Sequence, residues 1–190
     1  MKTKLLALSF ALSCAFGGNA IAMTQVEYKA EKDRVSGEYK AAKDKCGSLK
    51  DNAKDVCMSE AKGADKVATA QAESTYKPTA RNTEKVAMAK ADALYDTARE
   101  KCDDLSGNAK DVCVKDAKAA HIKGKSDAKV SKVSATTGSA NSERATDAKN
   151  EATNDQRQAL YKAANERCDA LTGAPKDACQ ADAKTKFGTK

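Results

Sequence analysis

The most legible chemistry in the chain belongs to six cysteines. Cys46, Cys57, Cys102, Cys113, Cys168 and Cys179 fall into three pairs, each with ten residues between its members. Thiols serve as disulfides, as redox-active centres or as metal ligands. A redox centre usually places its two thiols in a close Cys-x-x-Cys pair, and these pairs are much wider. Zinc needs further ligands at short spacing, yet the single histidine, His121, stands eight residues beyond Cys113 and is expected at the surface. Structural disulfides are the expected use, in a chain exported to an oxidising compartment. No metal and no cofactor is expected. No nucleophile, base and orienting group recur together, so the chain is read as non-enzymatic.

A second set of residues points to binding. Lys115, Lys118, Lys125, Lys129 and Lys132 fall within about 100° of arc on a helix, while Asp116 and Asp127 lie elsewhere on the wheel. Such a stripe can lie against anionic lipid headgroups, lipopolysaccharide phosphates or an acidic partner. A plain solvated face is the competing reading, because no aromatic anchors interleave with the lysines. Nucleic acid is not expected as a partner: the formal net charge is +7 over 190 residues, with both signs interspersed.

The elements that must hold these residues follow from a repeat. Tyr39 to Cys57, Tyr95 to Cys113 and Tyr161 to Cys179 share one pattern: Tyr, six residues, Cys, two residues, Leu, seven residues, Cys. Lys-Asp occurs before the second cysteine in every copy, and Ala-Lys follows at its fourth and fifth positions. Tyr39, Ala42, Cys46 and Leu49 step by three, four and three, which puts them on one helical stripe; Cys57, Ala61, Ala64 and Ala68 form a second. Between the stripes lie Ser106-Gly107-Asn108 and Thr172-Gly173-Ala174-Pro175. Glycine is expected to cap the outgoing helix in the left-handed conformation, Asn108 to cap the next helix, and Pro175 to occupy the first helical position. Asp51-Asn52 is a weaker version of the same turn.

Each copy therefore reads as two antiparallel helices. The expected spans are 24–50 with 53–74, 83–106 with 109–133, and 142–172 with 175–186. Facing alanine stripes let helix axes approach to roughly 8 Å, close enough for the Cα separation of roughly 5.5 to 6 Å that a disulfide needs. That pairs Cys46 with Cys57, Cys102 with Cys113, and Cys168 with Cys179. Each short loop so closed contributes on the order of 3 kcal/mol in the chain-entropy picture. The expected fold class is all-α: three disulfide-stapled antiparallel helical hairpins, extended or loosely bundled. A thick core is excluded, because the chain has no tryptophan, three phenylalanines and five tyrosines.

The N-terminus completes the organisation. Lys2 and Lys4 precede an apolar run from Leu5 to Phe16, and Ala20-Ile21-Ala22 follows. That order is a secretory signal peptide cleaved after Ala22, leaving a periplasmic chain without a transmembrane segment. Lipidation at Cys14 is the competing reading, although the expected leucine three positions earlier is missing. The divisions are then a signal peptide at 1–22, hairpins at 23–78 and 79–133, a Ser/Thr/Gly-rich linker at 134–141 and a third hairpin at 142–190. The linker would let the third hairpin move independently.

With its leader ending Gly-Gly-Asn-Ala-Ile-Ala-Met and its three Lys-Asp-x-Cys repeats, the chain resembles small, signal-bearing, Ala/Lys-rich helical envelope proteins of proteobacteria, commonly labelled TolA-like. The resemblance implies an exported helical protein and carries no assigned activity. TolA itself keeps a membrane-spanning N-terminus and a globular C-terminal domain, and this chain shows neither. The repeat is also similar to the twin C-x9-C hairpins of mitochondria, which use two bridges per hairpin and nine intervening residues. No functional residue is carried across from either group. The expected function is a structural or interaction protein of the cell envelope that presents rigid charged hairpins, with stress protection as a variant. The alternative is a binding protein whose basic helix face takes anionic envelope ligands. Its partner is an envelope protein or an anionic lipid or lipopolysaccharide surface.

Overall fold

A computed structural model describes residues 22–137 and 142–188. The expected signal peptide, apart from Ala22, and the Cys14 reading lie outside the described residues. Among these residues the regular structure is six helices: α1 Gln25–Cys46, α2 Asp51–Tyr76, α3 Ala80–Cys102, α4 Gly107–Thr137, α5 Ser142–Cys168 and α6 Ala174–Phe187. The all-α hairpin repeat is thus the observed fold.

The first helix of each copy stops at its cysteine, three residues short of the leucine expected to close its stripe. Leu49, Leu105 and Leu171 instead donate their backbone N–H groups to the carbonyls of Cys46, Cys102 and Cys168. This tight i→i+3 turn takes the leucines off the inward stripe and leaves them 41%, 43% and 40% exposed. Two residues further on, the chain reverses through a positive φ at one register position: Asp51 at 48°, Gly107 at 57° and Gly173 at 63°. The glycines therefore open the second helix of their copy and do not cap the first. Glycine accepts this conformation freely, whereas an L side chain meets its own carbonyl there.

Each helix packs only against its neighbours in sequence, so the six form a row one helix deep. All three cysteine turns lie along one edge of that row. At the other end of the first hairpin, the Met23 N–H donates to the Thr75 carbonyl and Tyr28 stacks on Tyr76 with centroids 4.6 Å apart. Thr24 and Glu27 form a capping box at the start of α1. The N–H and hydroxyl that Thr24 donates hold the Glu27 carboxyl below its ordinary pKa. The box is therefore intact at neutral pH and is lost as pH falls through that lowered value.

The buried apolar side chains are ten alanines, Val35, Val86, Cys46, Cys102 and Cys168, and the three cysteines are the largest that are fully enclosed. Such small residues let backbones close up. A Cβ on Gly63 would stand 2.7 Å from the Ala93 Cβ, and one on Gly124 would stand 2.9 Å from the Ala91 Cβ. Helix α3 is thus held between α2 and α4 by a glycine contact on each side.

Two expectations are corrected here. Helix α4 runs on to Thr137, so the first half of the stretch read as a linker is helical; 138–141 lie outside the described residues. The third hairpin is also packed onto the second, with α5 lying along α4 and Ala152, Ala159 and Ala163 buried on α5. Alanine at helical spacing supplies the seam that the loop composition concealed.

Gly37, in α1, has nothing within 4 Å of where a Cβ would be. Gly37→Ala should stabilise the protein by ~0.5–1 kcal/mol through helix propensity. Gly63→Ala gains the same propensity but drives its methyl into Ala93, and should be destabilising by ~1 kcal/mol or more. Urea denaturation of the two variants reads both signs. At the turn, Asp51→Gly should stabilise by ~0.5 kcal/mol and Gly107→Asp should cost ~1 kcal/mol, a sign reversal at one register position that thermal melting would detect.

Candidate functional site

The staples are where the repeat places them. Cys46–Cys57, Cys102–Cys113 and Cys168–Cys179 are bonded, with Cα separations of 5.5, 5.7 and 5.6 Å. The first cysteine of each pair is buried and the second half-buried. Each bond joins the last residue of one helix to the second turn of the next, so it fixes the splay of the hairpin at its root.

A second device joins one copy to the next. Asn52 Nδ2 donates to the Glu100 carbonyl at 2.8 Å, and Asn108 Nδ2 donates to the Glu166 carbonyl at 3.2 Å. Both carbonyls lie in the last turn of the first helix of the following copy, where each also accepts a backbone N–H, from Asp103 and from Asp169. Asn108 therefore reaches across to α5, not to the start of its own helix. At this register position the third copy has Ala174. The signal was present as Asn-Ala-Lys-Asp in two copies against Ala-Pro-Lys-Asp in the last.

The five lysines of the basic stripe lie along α4 and reach into its seams with α3 and α5. Lys115 meets Glu166 at 3.5 Å and Lys129 meets Glu151 at 3.9 Å on the α5 side; Lys125 meets Asp92 at 3.7 Å and Lys132 meets Glu84 at 2.7 Å on the α3 side. Lys118 lies over the Tyr95 ring, 5.7 Å from its centroid. These pairs are partly exposed and individually weak. They nevertheless reduce the field of a stripe that looked uncompensated when only the acids of its own helix were counted.

His121 is not the free surface residue expected. Its ring stacks on Tyr95 at 4.5 Å, its Nε2 lies 2.6 Å from Asp92 Oδ1, and its side chain is 14% exposed. The neighbouring helix supplies both partners, which the residues flanking His121 could not reveal.

Two clefts of similar size open where successive copies meet. One, of about 540 Å³, lies over α4 between α3 and α5 and is lined by Tyr95, Lys115, Lys118, Ile122, Asp155 and Lys162, among others. The other, of about 580 Å³, lies one copy earlier over α2 and is lined by Tyr39, Ser59, Lys62, Asp96, Arg99 and Glu100, among others. By register, Tyr39 corresponds to Tyr95, Ser59 to Lys115, Lys62 to Lys118 and Asp96 to Lys162. The second junction thus has lysine where the first has serine and aspartate. Sequence reasoning found Lys115 and Lys118 but missed Lys162, which belongs to another helix.

Among the described residues, no group of three or more His, Cys, Asp or Glu side chains gathers as a metal site would require. No helix among them is long and apolar enough to cross a membrane. No protein-family model matches the chain, and no similarity to a curated protein or to a solved structure was found.

Replacing Cys102 and Cys113 together by serine should cost ~3 kcal/mol, the loop-closure value for a separation of 11 residues. The loss should appear in urea denaturation of the oxidised protein and vanish when variant and parent are compared under reductant.

Proposed function

We propose that this is an exported, non-enzymatic structural and interaction protein of the bacterial cell envelope, held rigid by its staples so that it presents charged helical surfaces. The row of stapled hairpins carries this reading. A layer one helix deep leaves most of every helix facing water, which suits display better than enclosure of a reaction. Three disulfides favour an oxidising compartment, and the leader expected at 1–22 directs the chain to the periplasm. Presentation needs rigidity, and the glycine contacts, asparagine bonds and staples restrict the angle between adjacent helices.

A second reading is favoured by the lysines of α4: the protein binds anionic envelope material along that helix. Their exposure of roughly 40 to 57% on the paired side chains leaves them open to solvent and to further partners. Co-sedimentation of the processed protein with phosphatidylglycerol vesicles and with lipopolysaccharide, at low and high salt, tests it. Under the display reading, pelleting is weak and unchanged when Lys115, Lys118, Lys125, Lys129 and Lys132 become Gln, and crosslinking in cells captures envelope proteins. Pelleting that is salt-sensitive and lost in the variant supports the second reading and removes the first.

A further inference from the structure

Building on the second reading, we propose that the cleft at the junction of the second and third copies is a discrete site for an anionic amphiphile, a phosphate group carrying a short apolar chain. Three observations converge on that chemistry. Lys115, Lys118 and Lys162, from two helices, face one cleft against a single acidic lining residue, Asp155. Among the described residues, neither Lys118 nor Lys162 is ion-paired, and the contact of Lys115 with Glu166 is long at 3.5 Å. Two of the three charges, those of Lys118 and Lys162, are thus without an ion pair where the cleft can collect them.

The cleft is also polarised along its length. Its lysines lie at the end nearer the staples, whereas Asp155 also lines the next cleft along α4 and so marks the opposite end. Ile122 and Ala159 lie between them, and with Val114 beside Lys115 they offer an apolar wall. A second anion on the ligand would be repelled by Asp155, and a bare phosphate would leave the wall unused. A phosphate with one short apolar chain puts its charge on the lysines and its chain on the wall. The volume of about 540 Å³ falls within the usual range for small-molecule sites.

The homologous cleft one copy earlier is a built-in control. It has the same tyrosine, one equivalent lysine, Lys62, and Arg99, but carries Asp55, Asp96 and Glu100 on its lining. A ligand drawn only by helix geometry would occupy both clefts; one drawn by the three lysines occupies the second alone.

Calorimetric titration of the processed, oxidised protein with octyl phosphate tests this. One saturable site per chain is expected, with octyl glucoside and inorganic phosphate each bound more than about tenfold more weakly. Lys118→Gln and Lys162→Gln should each weaken binding about fivefold without changing the melting temperature, and Lys62→Gln should leave it unaltered. Installing the missing charge by Ser59→Lys with Asp96→Lys should raise the stoichiometry to two. The proposal is overturned by the absence of saturable binding, by lysine variants that bind like the parent, or by an equal loss in Lys62→Gln. Phosphatidylglycerol vesicles form the other arm. Lysine-dependent pelleting without an octyl phosphate site sinks the cleft while leaving the membrane-surface reading standing, and loss of both sinks both.

Discussion

A methyl group buries little, and this molecule is built almost entirely on methyl groups. Between adjacent helices the contact surface is mostly alanine and glycine, with a disulfide inside each hairpin, and the row is only one helix deep. Helical hairpins with so thin a seam are marginal in water, because apolar burial scales with area and the ordering cost does not shrink in proportion. Covalent closure of each hairpin alters that balance from the other side, by limiting the freedom of the unfolded chain. The close approach permitted by Gly63, and the bonds from Asn52 and Asn108, then add hairpin to hairpin, while Gly124 closes up the second hairpin itself.

How much of this could be read beforehand depended on distance along the chain. The repeat, the cysteine pairing and the helical hairpins were legible because each arises within about twenty residues, from periodicity and spacing. Features set by the next copy were not. Asn108 looked like a cap for its own helix because the Glu166 carbonyl lies 58 residues away. His121 looked solitary because Tyr95 and Asp92 approach from α3. The lysine stripe was located correctly on α4, but its acids at 84, 92, 151 and 166 belong to other helices. The leucines were misassigned for a different reason. An i→i+3 turn continues the helical period closely enough that stripe counting cannot tell where the helix has tightened into it.

Three copies of one scaffold also permit divergence without loss of fold. Tyrosine, cysteines and alanines are shared by all copies, since each is tied to packing. The residues that differ line the junctions, where serine and aspartate in one cleft stand as lysine in the other. The third copy departs from the other two at Ala174, which stands at the asparagine position, and in the short helix α6.

The covalent bonds lie within hairpins and never between them. Of the five interfaces in the row, α1/α2, α3/α4 and α5/α6 carry a disulfide, while α2/α3 and α4/α5 rest on packing, the asparagine hydrogen bonds and exposed charge. Oxidation thus divides the molecule into three covalently closed leaves held together by two joints that carry no covalent bond. The basic cleft straddles one of them, drawing its walls from α3, α4 and α5. Anything lodged there bridges two leaves at once, so occupancy stiffens the joint and a stiffer joint binds more tightly.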